Sequence, residues 1–363
     1  MFILLLISGQ LFAQKETGGL RKVTLQLKWK HQFQFAGYYA AVEKGFYRRA
    51  GLDVQLKEAE LSRDPKLEVM NGNAEFGIAT SDILFLQEGE INAVVLAAIF
   101  QHSPQILLAS QKAGVNNVHR LSGKTIAMEP NAADLIAYLS DEGITPDKYA
   151  TVPHEFGITQ LTDNTADAIS AYATDEPYLL EKSGFSYTIL SPLSGGIDFY
   201  GDVLFTTSRM IENQPELVES FRKASLEGWK YALSNKSEII DLILEKYSKR
   251  HSKEHLEFEA SKTDRYIVPE IIEIGYSNPG RWESILSIYK RLGKINQHVS
   301  TERMLYSHYQ KTDTPLPWGL ISVYSLLTFA VAGVAYFFYS VSRRLKKEIR
   351  EKEIIRLSLM DAK

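Results

Sequence analysis

The feature that most constrains this chain is a run of 23 residues without a charge, Gly319 to Val341 (GLISVYSLLTFAVAGVAYFFYSV). About 20 apolar residues, rising 1.5 Å each as a helix, span the hydrocarbon core of a bilayer. A buried core helix of that length would be expected to keep a polar face, and this run has no charged one. Pro317-Trp318 bounds the run on one side and Ser342-Arg343-Arg344-Leu345-Lys346-Lys347 on the other. Lys and Arg beside a span resist translocation, so the basic side is expected in the cytoplasm and the residues before the run outside it. The chain therefore reads as an exported domain held by a single transmembrane helix, 319–341, with a cytoplasmic helix over 342–363.

The beginning of the sequence agrees with export. Met1 to Ala13 (MFILLLISGQLFA) is short and apolar, and the polar Gln14-Lys15-Glu16-Thr17 follows. This pattern predicts a signal peptide over 1–13, cleaved after Ala13. It departs from the usual form in having no Lys or Arg before the apolar run and Leu11 in place of a small residue. Cysteine is absent, which excludes a lipidated cysteine, disulfides, thiol catalysis and thiolate metal sites. Lys and Arg number 41 against 44 Asp and Glu, a net charge of −3 that carries no sign of nucleic-acid binding. The 342–363 segment is the exception, with eight basic against four acidic residues, as suits a flank lying near anionic headgroups.

Between these ends the sequence alternates strand and helix patterns. Val23–Trp29 alternates with period two, and Phe35, Tyr39, Val42, Phe46 and Ala50 follow at helical spacing before Gly51. Asp53–Ala59 reads as a second strand, Asp64-Pro65 as a capped helix start, and Glu75–Ala79 as a third strand. Val94–Phe100 and Gln105–Ser110 have the length of buried strands. A second unit holds Thr125–Met128, a helix over 131–142, Ala168–Tyr172, a helix ending at Gly184, and Tyr187–Leu190. Val203–Thr207 reads as a return strand, and the pattern beyond Gln214 is helical. Such alternation predicts an α/β fold with mainly parallel sheets. Two crossovers, near Ser103–Ala109 and Asp198–Leu204, predict two lobes: lobe 1 over 21–105 and 203–300, lobe 2 over 106–202. A cleft between such lobes, at the carboxyl ends of strands, is the favoured ligand site.

Several motifs occur in order along 23–293. They are Leu27-Lys28-Trp29, Phe35-Ala36-Gly37-Tyr38-Tyr39-Ala40, Gly45-Phe46-Tyr47, Asn73-Ala74-Glu75-Phe76-Gly77-Ile78 and Leu121-Ser122-Gly123-Lys124-Thr125. Asp167-Ala168, Ala171-Tyr172, Glu176-Pro177, Asp198 through Leu204 and Gly228-Trp229 complete them. Together they resemble the type II periplasmic binding proteins related to thiamine pyrimidine biosynthesis and uptake, of the SsuA/thiamine-precursor-like type. The resemblance implies a two-lobed clamp over 21–300 that closes on a small ring-bearing ligand, a pyrimidine or related heterocycle. Trp29 is then the candidate to stack on the ring, unless it fills the core. Phe35 and Tyr38 are further aromatic candidates, although neighbouring helical residues diverge by about 100° and only some can face a cleft. Glu176, Asp198 and Asp202 are candidate acceptors for ring amines, with Tyr172 and Tyr200 beside them. Asp202 serves equally well as a local cap of the crossover, and Pro177 suggests that Glu176 ends an extended segment.

One branch of that family is an enzyme, with a pyridoxal-phosphate lysine, a reacting histidine and a cysteine-rich iron segment. Here the lysine position holds Ala79, the histidine position holds Ile83, and no cysteine exists. Aliphatic side chains cannot form a Schiff base. A binding protein without catalytic residues, cofactor or metal is therefore expected. His251 and His255 have the spacing of a helical metal pair, but their charged flanks (Lys249-Arg250, Lys253-Glu254) favour a solvated helix face.

After the span, Arg356-Leu357-Ser358-Leu359-Met360-Asp361-Ala362 resembles the approach to diguanylate cyclase domains. This suits a sensor input whose output domain lies outside this sequence or on a partner. The expected partners are the small heterocycle and the inner membrane. A homodimer through the span and linker helices is compatible with the sequence, although Leu345, Ile349, Ile355 and Leu359 keep only loose heptad spacing. The alternative is the tethered binding component of an importer.

Overall fold

The computed structural model describes residues 19–60, 63–89, 91–129, 132–310 and 318–360. The expected signal peptide lies outside them. The described residues fall into two units, one ending at Gln310 and one covering 318–360.

The first unit carries ten strands: β1 Arg21–Gln26, β2 Leu52–Lys57, β3 Phe76–Ala79, β4 Ala93–Ala98, β5 Gln105–Ser110, β6 Thr125–Met128, β7 Ala150–Pro153, β8 Ala168–Tyr172, β9 Tyr187–Leu190 and β10 Val203–Thr207. They form two five-stranded sheets, ordered β2-β1-β3-β10-β4 in lobe 1 and β7-β6-β8-β5-β9 in lobe 2. The sheets are mainly parallel, as expected, with four strands of each sharing one direction, and each is made mixed by one reversed strand. β1 runs parallel to β2 and β3, and β6 parallel to β7 and β8. The strands next to the crossovers reverse direction: β10 is antiparallel to β3 and β4, and β5 to β8 and β9. A chain that leaves one sheet and returns to it must enter each sheet against its parallel strands.

Lobe 1 is covered by helices Ala36–Glu43 and Pro215–Ser234, which approach unusually closely. A Cβ on Gly37 would meet the Trp229 ring at 2.2 Å, and one on Gly228 would meet the Gly37 carbonyl at 2.1 Å. The two glycine motifs, far apart in sequence, are thus one contact. Helix Pro65–Met70 begins as its sequence requires: the Asp64 carboxylate accepts from the Lys66 backbone N–H at 2.9 Å, with Pro65 in the first turn.

The two crossovers run side by side and bond to each other. The Ile99 and Phe100 amides donate to the Asp202 carbonyl at 2.9 and 3.1 Å, and the Ser103 amide to the Phe199 carbonyl at 2.9 Å. Helix Pro279–Arg291 backs them. Its Trp282, Ile285, Leu286 and Tyr289 share one buried cluster with Ile83 and Leu84 of lobe 1 and Leu135 and Tyr138 of lobe 2.

The second unit is a single helix, Trp318–Met360, of 43 residues. At 1.5 Å per residue it is about 65 Å long, roughly twice the hydrocarbon thickness of a bilayer. Within it, Ser322–Leu357 includes a stretch long and apolar enough to cross a membrane, making it a candidate span. The apolar part and the charged part after Ser342 form one uninterrupted helix.

Candidate functional site

Between the lobes lies a cavity of about 230 Å³. Its walls are the residues that follow the carboxyl ends of parallel strands. Lys28 and Trp29 follow β1, Thr80 follows β3, Glu129 follows β6, and His154 and Phe156 follow β7. This is where strand geometry leaves room for a ligand in an α/β sheet.

One wall is aromatic and is built from both lobes. The Trp29 ring meets Phe156 edge-on at 4.4 Å and lies within 24° of parallel to His154 at 6.0 Å. The Lys30 ammonium sits 5.2 Å over the Phe156 ring. His154 is buried, and that burial pushes its imidazole pKa down to about 4 against the opposing pull of the Gly157 backbone and Asp175. The ring is therefore neutral at physiological pH and extends the apolar shelf.

The other walls are polar. The Lys28 ammonium lies 3.4 Å from Asp202 Oδ1, contacts the Tyr172 hydroxyl, and is 4.4 Å from the Tyr172 ring centroid. Tyr172 Oη donates to Asp202 Oδ1 at 3.3 Å, and Gln34 Nε2 to Asp202 Oδ2 at 2.7 Å. Burial pushes the Asp202 carboxyl up, opposed by Lys28 and then by Gln34. Burial likewise raises Glu129, opposed by Lys28. A carboxyl held above its ordinary range in a cavity accepts a proton or a ring N–H more readily than one in water. On the lobe 1 rim, Lys66 Nζ lies 2.8 Å from Asp82 Oδ2 and 3.3 Å from Asp64 Oδ1. Burial pulls the Lys66 pKa down, but the two carboxylates outweigh it and hold it above the ordinary value.

Of the residues the sequence nominated, Trp29 lines the cavity. Tyr172 and Asp202 sit one layer behind it, joined to it through Lys28. Glu176 flanks a recess of about 10 Å³ beside Tyr172, room for no more than one water. Glu176 Oε2 accepts from the Tyr172 backbone N–H at 2.8 Å, and burial holds its carboxyl well above the usual range. It begins helix Glu176–Ser183, with Pro177 in the first turn, rather than ending an extended segment. Phe35 and Tyr38 point into lobe 1 instead. Both are buried, and Tyr38 meets Trp229 edge-on at 5.7 Å, because the glycine contact draws this helix onto its neighbour. Asp198 and Tyr200 belong to the hinge. Asp198 Oδ1 lies 2.8 Å from both His102 Nδ1 and Arg281 Nη2. Tyr200 packs on Trp282 at 4.9 Å, and its hydroxyl accepts from the Asn278 amide at 2.9 Å. His251 and His255 correct another expectation, since both are buried, 8% and 1% exposed, rather than solvated.

Lys28, Lys66, Asp82, Glu129, His154 and Phe156 were not nominated. The strand-end rule would have pointed to Glu129, directly after β6. It could not reach His154 and Phe156, because β7 is an edge strand of only four residues ending in Pro153, too short to announce itself by its pattern.

Residues 32–239 match the family model described as NMT1/THI5 like. The chain belongs to the NMT1/THI5-like family. Among curated relatives it is 26% identical over 237 residues to the riboflavin-binding protein RibY of Chloroflexus aurantiacus, a match covering 62% of this chain and 66% of that protein. It is 20% identical over 249 residues to the formylaminopyrimidine-binding protein of Halalkalibacterium halodurans, covering 67% and 76%. Among solved structures, the alkanesulfonate-binding protein SsuA of Xanthomonas axonopodis pv. citri, bound to MOPS, superimposes with a TM-score of 0.59 at 12% identity. That match covers 79% of this chain and 99% of that one. The NMT1/THI5-like unit thus has the two-lobed periplasmic binding protein fold, and its cavity lies between the lobes.

Proposed function

We propose that this chain is a membrane-anchored periplasmic receptor that closes on a small planar heterocycle and passes the closed state to a cytoplasmic output. The observation that carries the reading is the aromatic shelf made by Trp29 of lobe 1 with His154 and Phe156 of lobe 2. A flat ring lying on it contacts both lobes at once and so favours their closed arrangement. Stacking contributes roughly 0.5–1.5 kcal/mol beyond area burial. Glu129, Lys28 and the Lys66–Asp82 pair offer acceptors and donors to polar ring edges. The shift toward closure equals the ligand's differential affinity for the two states and cannot exceed it. Binding rather than catalysis is supported by Ala79, which lines the cavity where the enzyme branch carries its lysine.

The test is thermal-shift screening of the full chain in detergent against flavins, aminopyrimidines, thiamine and alkanesulfonates. Stabilisation by a planar heterocycle and not by alkanesulfonates is expected. Stabilisation by sulfonates alone would overturn the ligand class. For the cytoplasmic side, a reporter fused after the 342–363 segment should register cytoplasm.

A tethered importer component is the second reading, favoured because both curated relatives are named as binding proteins. Cross-linking of a Leu345→Cys variant in membranes separates the two. A receptor changes its cross-linking when ligand is added, whereas an importer component does not and co-purifies with a permease.

A further inference from the structure

Outside the cavity, three metal-ligating side chains meet at the junction of the lobes. Asp175 lies in lobe 2, between β8 and helix Glu176–Ser183. His251 and His255 lie in lobe 1, at the start of helix Lys253–Ile267, where the Ser252 hydroxyl caps the helix by accepting from the His255 backbone N–H at 3.3 Å. Asp175 Oδ1 is 2.8 Å from His255 Nε2 and 3.6 Å from His251 Nε2, and the three ligand atoms all lie within 4.8 Å of one another. The residues are 2%, 8% and 1% exposed. All three atoms are buried, and none makes a directed hydrogen bond, including the 2.8 Å pair. Buried polar atoms left unpaired are costly, so their convergence calls for a partner that all three can share.

We propose that Asp175, His251 and His255 form a divalent transition-metal site of the zinc type that ties lobe 2 to lobe 1. Two imidazole nitrogens and one carboxylate oxygen are a donor set that suits zinc, with a fourth position left for water. Zinc bonds of about 2.0–2.2 Å set tetrahedral ligand atoms about 3.3 Å apart, and the present separations bracket that value. Tyr178 covers the His255 ring at 4.6 Å and shields the site from solvent. An opposing charge comes from Arg250, 3.9 Å from the other carboxylate oxygen, Oδ2, and bonded to Gln32. Because the ligands come from both lobes, the ion would hold them together independently of any organic ligand in the cavity. The site would then act as a second input, setting how readily the lobes open.

The test uses the full chain in detergent, stripped with EDTA and then given ZnCl2 or CoCl2. Expected are one zinc per chain by elemental analysis, a rise in Tm, and the intense visible bands of four-coordinate cobalt. His255→Gln and Asp175→Asn should each weaken zinc binding by about a hundredfold or more, exceeding the 10–100-fold typical of losing a supporting partner. His119→Gln, at an exposed position, should leave it unchanged. The proposal is overturned if the wild-type chain takes up no zinc above the detergent blank, or if the double variant His251→Gln/His255→Gln binds it as the wild type does. If a variant fails to fold, the wild-type cobalt spectrum decides alone: four-coordinate bands support the site, and the spectrum of hexaaqua cobalt removes it.

Discussion

The two sides of the lobe junction are built on opposite principles. On the hinge side the polar and aromatic groups named above are held by partners. Tyr200 is held by Trp282 and Asn278, Asp198 by His102 and Arg281, and the two crossovers by each other. On the cleft side, aromatic rings face an open volume, buried carboxyls are held above their usual range, and polar atoms at Asp175, His251 and His255 lack directed hydrogen bonds. The hinge residues stabilise the fold, whereas the cleft residues leave interactions to be completed by something that binds. The same residue types, acidic and aromatic, serve both ends, and only their surroundings separate the roles.

Mutations can break or sharpen this contrast. The largest effect is expected at the hinge. Trp282→Ala removes a fully buried ring and its 2.7 Å hydrogen bond to Ser277, and should cost about 4 kcal/mol in chemical denaturation. A loss below about 1 kcal/mol would mean the hinge is as loosely built as the cleft. Next comes Lys28→Met, which strips a nearly buried Asp202 of its cation and should cost about 3 kcal/mol at neutral pH. Part of that should return as the pH falls. The folded-state pKa of Asp202 is raised, so the protonated carboxyl stabilises the fold at low pH and that contribution is lost as pH rises through the folded pKa. A loss that does not shrink on acidification would sink the assignment.

His154 gives a third test. Its folded pKa of about 4 lies below the ordinary 6.5, so the neutral ring contributes fully above pH 6.5 and that contribution fades as pH falls toward 4. By pH 5 the wild type should give up about 2 kcal/mol that His154→Gln does not. Parallel pH–stability curves for the two proteins would place the ring in solvent. The smallest effect is Trp29→Ala, which should weaken binding of the screened heterocycle about tenfold, near 1.4 kcal/mol. Calorimetry showing an unchanged Kd would move stacking away from Trp29.

Much of the fold was legible because strands and helices write their periods locally. Ala168–Tyr172, Tyr187–Leu190 and Val203–Thr207 could be bounded to the residue. The Asp64-Pro65 cap was equally plain, since its chemistry spans three positions. The direction of the crossover strands was not, because parallel and antiparallel strands of a buried sheet carry the same apolar composition. The site was legible only in part. Trp29 could be placed because it ends the alternating Val23–Trp29 pattern, whereas the inward burial of Phe35 and Tyr38 depends on packing within lobe 1 that the local sequence does not show. The charged flanks of His251 and His255 pointed to solvent, and nothing nearby in the sequence announces that Asp175, from the other lobe, covers them.

By itself the amino-acid order determined that the chain has an α/β two-lobed unit and an uncharged helix of membrane-spanning length, for both are properties of consecutive residues. Which acidic and aromatic residues hold the hinge and which face the cavity was decided only by the tertiary structure. Burial and pairing depend on segments some hundred residues apart, and a side chain's chemistry follows from what the fold brings beside it.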